Sequence, residues 1–151
     1  MTALLDTVDP DGLLEYSVVF TDRSLNHMSA KFQGVMCDIS SILKEVYSAD
    51  GVAVIPGGGT YGMEAVARQI AVDKNVMVLR NGWFSYRWSQ IFEAGSIPAS
   101  ETVMKARRVG NGVQAAFAPV PIDEVVAKIL SDQPDVVFAP HVETSAGLIL
   151  P

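Results

Sequence analysis

Three short segments hold most of the residues able to do chemistry in this chain of 151 residues. The first is Gly57-Gly58-Gly59-Thr60-Tyr61-Gly62, set between an apolar run and a helical pattern. Glycines let backbone approach a ligand closely, and a helix starting there offers unpaired N–H groups and a partial positive charge. An anion, most naturally a phosphate monoester, is the expected guest, with the Thr60 hydroxyl as a further donor. The plainer alternative is a tight turn needing positive φ. Gly57, Gly59 and Gly62 also match G-x-G-x-x-G, which in a dinucleotide site is followed by an acidic residue closing the second strand. Here that strand ends Leu79-Arg80-Asn81. Arg80 suits a 2′-phosphate, so an NADP-binding Rossmann-like domain stays open as an alternative. No G-K-[ST] follows, which excludes a triphosphate P-loop.

The second segment, Asn81 to Trp88, places Trp83, Phe84, Tyr86 and Trp88 at a helix start. Aromatics at helical spacing usually build core. Four within one and a half turns cannot all face inward, so at least one is expected to meet a ligand or partner. The third segment, His141-Val142-Glu143-Thr144-Ser145-Ala146-Gly147, ends an apolar run with a His, a carboxylate and two hydroxyls. A hydrolytic triad is not expected. Ser145 lacks the G-x-S-x-G elbow, and His141 and Glu143, two apart on a strand, share a face. Two histidines in all, His27 and His141, give no metal site.

The elements that must position these segments alternate along the chain. From Ser29, a candidate N-cap, the residues Phe32, Val35, Met36, Ile39, Ile42, Leu43, Val46 and Tyr47 form a helical stripe. Cys37 lies beside it and is expected as a buried, inert thiol. The run VAVIP (52–56) has the composition of a strand buried on both faces. Met63, Val66, Ala67 and Ile70 give a second stripe, VMVLR (76–80) a second buried strand, and 83–95 a third helix. A strand follows over 100–109, then a helix opened by Pro121 with Asp123 and Glu124 near its positive end. VVFAP (136–140) is the last strand, running into the polar 141–147 loop. This alternation predicts an α/β fold with a mostly parallel sheet, and puts all three segments at the carboxyl edge, where such sheets bind ligands.

Composition narrows the partners. Eleven basic against seventeen acidic residues give a net charge of −6, and no basic stripe offsets it, which argues against nucleic acid. Hydrophobic residues make up 49%, enough for a core, and mean hydropathy is +0.26. One cysteine excludes an internal disulfide. No apolar run spans a membrane, and the acidic start MTALLDTVDPDG is unlike a signal peptide. The expectation is a soluble cytoplasmic protein.

Taken together, IPGGGTYGMEAVA, RNGWFSYRW and HVETSAG, in this order and at these intervals, resemble the class V aminotransferases. Within fold-type-I pyridoxal-phosphate enzymes they are most similar to the alanine/serine–glyoxylate and aminoethylphosphonate–pyruvate branch. LNHMSAKF is similar to that family's early segment, although Met28 stands where an arginine is common. The resemblance implies a partial three-layer fold, the N-terminal half of the large domain, over 29–151, preceded by an N-terminal arm over 1–28. It implies pyridoxal 5′-phosphate as cofactor, small amino acid and 2-oxo acid substrates, and a homodimer. It carries the phosphate cup onto Gly58, Gly59 and Thr60, the ring-stacking aromatic onto Phe84, and the loop near ring oxygen and substrate onto Thr144. His141 and Glu143 fall in support. Gly58 departs from the family, which often has a serine there. The family's pyridinium aspartate and Schiff-base lysine lie beyond HVETSAG, and none of the five lysines here sits in a matching context. The chain alone is therefore expected to be truncated and unable to transaminate. A non-catalytic relic serving as an oligomerising module is the remaining alternative.

Overall fold

The computed structural model describes His27 and residues 30–150. The expected N-terminal arm, His27 apart, and the Ser29 cap lie outside the described residues. The chain divides into two compact units, Met1–Val54 and Ile55–Pro151.

In the first unit the long apolar period is realised as one helix, α1 (Ala30–Tyr47), ending where Ser48 adopts φ 50°. None of its residues is buried, and Ile42, Val46 and Tyr47 stand well exposed. Cys37 is exposed too, against expectation. A stripe buries its neighbours only where another element covers it, and α1 is the one element among the described residues of this unit. The VAVIP strand also fails to form. Residues 51–55 lie outside any sheet, with Val54 and Ile55 exposed. Apolar β-branched residues favour a pleated surface, but a strand exists only when a neighbour takes its N–H and C=O groups. Among the described residues none does.

The second unit is built around β1 (Asn75–Arg80), the middle strand of a parallel sheet. On one side lies β2 (Ser100–Lys105), with Asn75 opposite Ser100; on the other lies β5 (Val136–Phe138), with Val76 opposite Val136. Side chains alternate across a strand, so Val76 and Val78 face one way and Met77 and Leu79 the other. Val76 and Val78 pack with Ala67 of α2 (Gly59–Ile70), Ile91 and Phe92 of α3 (Trp83–Gly95), and Phe138. Met77 and Leu79 pack with Val120 and with Val125 of α4 (Ile122–Asp132). Helices thus cover both faces, in three layers. The order follows from right-handed crossovers. The chain steps from β1 to β2 through α3, then returns across β1 to β5 through α4, so the two helices fall on opposite faces.

Two short antiparallel ribbons depart from the expected long strands. Backbone pairing beside β1 ends near Ala106, and β3 (Arg107–Arg108) pairs instead with β4 (Phe117–Ala118). Past β5, Val142–Glu143 forms β6 and pairs with β7 (Leu148–Ile149). His141 and Glu143 therefore do not share the face of one long strand. His141 precedes β6 and is exposed, while Glu143 is 1% exposed.

Candidate functional site

The loop after β1 and the loop after β5 meet at the carboxyl edge, because their strands are parallel neighbours. At this junction α3 begins. Its N-cap, Gly82, has no side chain to offer the helix's free N–H groups, and residues from two places supply the acceptors. The Ser85 hydroxyl reaches back to accept from the N–H of Asn81 at 2.8 Å and of Gly82 at 2.9 Å. Glu143, from β6, accepts from the N–H of Phe84 at 3.1 Å and of Ser85 at 2.8 Å, and from the Ser85 hydroxyl at 2.6 Å. Ser145 accepts from the Trp83 N–H at 2.9 Å and donates its own proton to Glu143. Every N–H from Gly82 to Ser85 is thereby engaged, and the next, that of Tyr86, bonds the Gly82 carbonyl within the helix.

Glu143 behaves as an internal anion for this helix. Burial works to raise its carboxyl pKa, but the hydroxyls of Ser145 and Ser85 and the N–H groups of Ser85 and Phe84 outweigh burial and hold it at about 2. The positive end of α3 favours the same ionised state. Close approach is a condition of the arrangement. A Cβ on Gly82 would lie 2.6 Å from Ser145 Oγ and 2.7 Å from Glu143 Cγ. Gly82 is extended, at φ 174°, so the glycine is needed here for space rather than for a left-handed backbone.

The start of α2 is the opposite case. Gly58 is its N-cap, and no side chain caps the helix. The Tyr61 N–H turns back to the Gly58 carbonyl at 3.0 Å, and the N–H groups of Gly59 and Thr60 have no partner among the described residues. A Cβ on Gly58 or Gly59 would meet no atom within 4 Å, so the space before these groups is open. Gly57, at φ 133°, turns the chain into the helix with the Tyr61 ring lying against it. Thr60 is tied to α3, since Arg87 Nη1 donates to its Oγ1 at 2.9 Å.

The remaining candidates divide. Trp83 and Phe84 are more than half exposed at the start of α3, whereas Trp88 packs on Phe138 with ring centroids 4.5 Å apart. Thr144 is exposed in the turn between β6 and β7, and neither its hydroxyl nor the His141 ring has a hydrogen-bond partner among the described residues. Arg80 lies 4.6 Å from the Tyr86 ring centroid and donates to Ser89, which engages it in packing rather than at a ribose. With no strand leading into the glycine loop, the dinucleotide pattern also lacks its structural setting. Three contributors escape sequence reasoning. Arg87 meets Thr60 across 27 positions, and Ser85 and Ser145 meet Glu143 across 58 positions and 2 positions. Only the last is near enough in sequence to leave a signal. Among the described residues no cluster of His, Cys, Asp or Glu can hold a metal ion, and no helix is long and apolar enough to cross a membrane.

The fold is shared with a known protein. Ureidoglycine–glyoxylate aminotransferase from Bacillus subtilis superposes with a TM-score of 0.63 over 80% of this chain, at 22% identity. The chain covers 30% of that protein's length. No protein-family model matches, and no curated protein sequence matches significantly. The likeness is one of fold.

Proposed function

We propose that this chain is the pyridoxal-phosphate-holding part of a class V aminotransferase, one that moves an amino group from a small amino acid such as alanine or serine to glyoxylate or pyruvate, as a homodimer. One observation carries the proposal. Of the two helices opened by the glycine loop and the aromatic segment, α3 is filled by the protein's own carboxylate and α2 is open. The shared fold with an aminotransferase supports it.

The residues present fit the cofactor's phosphate and ring. The free N–H groups of Gly59 and Thr60, with the Thr60 hydroxyl, offer donors to a phosphate monoester at the positive end of α2. Phe84 presents an exposed ring from the start of α3. Glu143 fixes the backbone from which Phe84 projects, and is itself one residue from Thr144. When bound, the cofactor supplies an electron sink for the amino acid's α-carbon. No lysine is assigned to a covalent attachment: of the three lysines in the second unit, Lys74 precedes β1 at the opposite edge, Lys128 is paired with Asp132 at 2.9 Å, and Lys105, exposed at the end of β2, is the one at the carboxyl edge. The role assigned to this chain is therefore to bind and orient.

Equilibrium dialysis against pyridoxal phosphate, then borohydride reduction and mass spectrometry, tests this. Weak, saturable binding competed by inorganic phosphate, with no stoichiometric lysine adduct, is expected. Absence of phosphate-competed binding overturns the proposal.

A further inference from the structure

We propose that Arg87 is a positioning residue that makes the glycine loop selective for a ligand bearing a phosphate; this deepens the function proposed above and rests on it. The guanidinium bridges two helices. Its Nη1 donates to Thr60 Oγ1 at 2.9 Å and its Nε donates to Gln90 Oε1 at 3.1 Å. Arginine has donors only, so on that side the Thr60 oxygen must accept. The single hydroxyl proton then points away from Arg87, and no protein acceptor takes it among the described residues. It is left to donate to a guest at the start of α2, beside the free N–H groups of Gly59 and Thr60.

Charge points the same way. Arg87 is half-buried, and both its partners are neutral. Glu64 lines the same groove but is committed to Arg68 at 2.8 Å, and the other ion pairs of the described residues join Arg107 to Glu124 and Lys128 to Asp132. A guanidinium withdrawn from water without a counter-charge is costly, and an anion arriving beside it lowers that cost. Pyridoxal, which has the ring without the phosphate, gains nothing from either effect. Arg87 thus acts through the Thr60 hydroxyl and through its field.

Dialysis of the whole chain with pyridoxal phosphate and, separately, with pyridoxal decides the matter. In Arg87→Met, affinity for pyridoxal phosphate is expected to fall about tenfold to a hundredfold, the worth of a charge-assisted donor, with pyridoxal unchanged. Arg87→Lys, which keeps the charge without the fork, falls between. Adding Thr60→Val to Arg87→Met costs little more, since the two act as one unit. An equal loss for both ligands, or no loss, overturns the role of Arg87. If circular dichroism shows Arg87→Met unfolded, Arg87→Gln, which keeps the polarity and removes the charge, carries the same test with the same outcomes. A wild-type chain that does not prefer pyridoxal phosphate to pyridoxal overturns the phosphate site itself, and this proposal with it.

Discussion

Replacing Glu143 by Gln removes one charge from the most densely hydrogen-bonded point of the second unit while keeping its size. The wild-type carboxylate accepts from two N–H groups and two hydroxyls, which uses its acceptor capacity. The amide turns one acceptor into an NH2 that faces donors. The charge alone can be scaled from its titration. A drop from the ordinary 4.5 to about 2 converts, at about 1.4 kcal/mol per unit, to about 3 kcal/mol. Because Ser145 opens the site to water on one side, about 2 kcal/mol is the safer expectation. The sign is that of a carboxylate with a depressed pKa. Its contribution is complete above 4.5 and is lost as pH falls toward about 2. Urea melts of wild type and Glu143→Gln across pH 7 to pH 3 read this directly, since the other carboxylates titrate alike in both chains. The gap between the two is expected to be widest near neutrality and to shrink on acidification. A gap that stays constant would refute the ionised-cap account and leave only shape at work.

Gly82→Ala places a Cβ where Ser145 and Glu143 sit, and should lower stability by about 1–3 kcal/mol, read as the midpoint of a urea melt. Phe84→Ala should weaken retention of pyridoxal phosphate by about 0.5–1.5 kcal/mol and Trp83→Ala much less, measured by dialysis; the reverse order would move the stacking position by one residue. Sedimentation of the purified chain should show self-association rising with concentration. Neither β2 nor β5 has an outer neighbour among the described residues, and Val126 and Leu130 of α4 are exposed. A concentration-independent monomer would count against it.

The legible parts of this fold are those whose evidence is local. Helices α2, α3 and α4 carry their own periodicity, and β1 is apolar on both faces because helices cover both. VAVIP has the same composition as β1 and forms no strand, because a strand is a relation between two segments and composition reports on one. Cys37 fails for the same reason. Its helix and stripe are legible, but whether anything covers the stripe is not. At the site, the glycine loop, the aromatics and the polar third loop stand out by residue type. Their connections do not. Ser85 meets Glu143 across 58 positions and Arg87 meets Thr60 across 27, and neither residue carries a sign of its partner in its own type or spacing.

Under the proposed function, the contrast between the starts of α2 and α3 bears on how a phosphate would be placed. An open helix start attracts anions whatever their shape, through free N–H groups and the end of the helix dipole. Two open starts on one sheet edge would compete for the same phosphate and leave the ring without a fixed register. Glu143 takes the start of α3 out of that competition by satisfying it from within, at a pKa of about 2 that keeps it charged at neutral pH. The same bonds fix the backbone of Phe84. The single carboxylate therefore does two things at once. It closes one helix start to anions, and it holds the aromatic that the proposed function sets against the cofactor's ring.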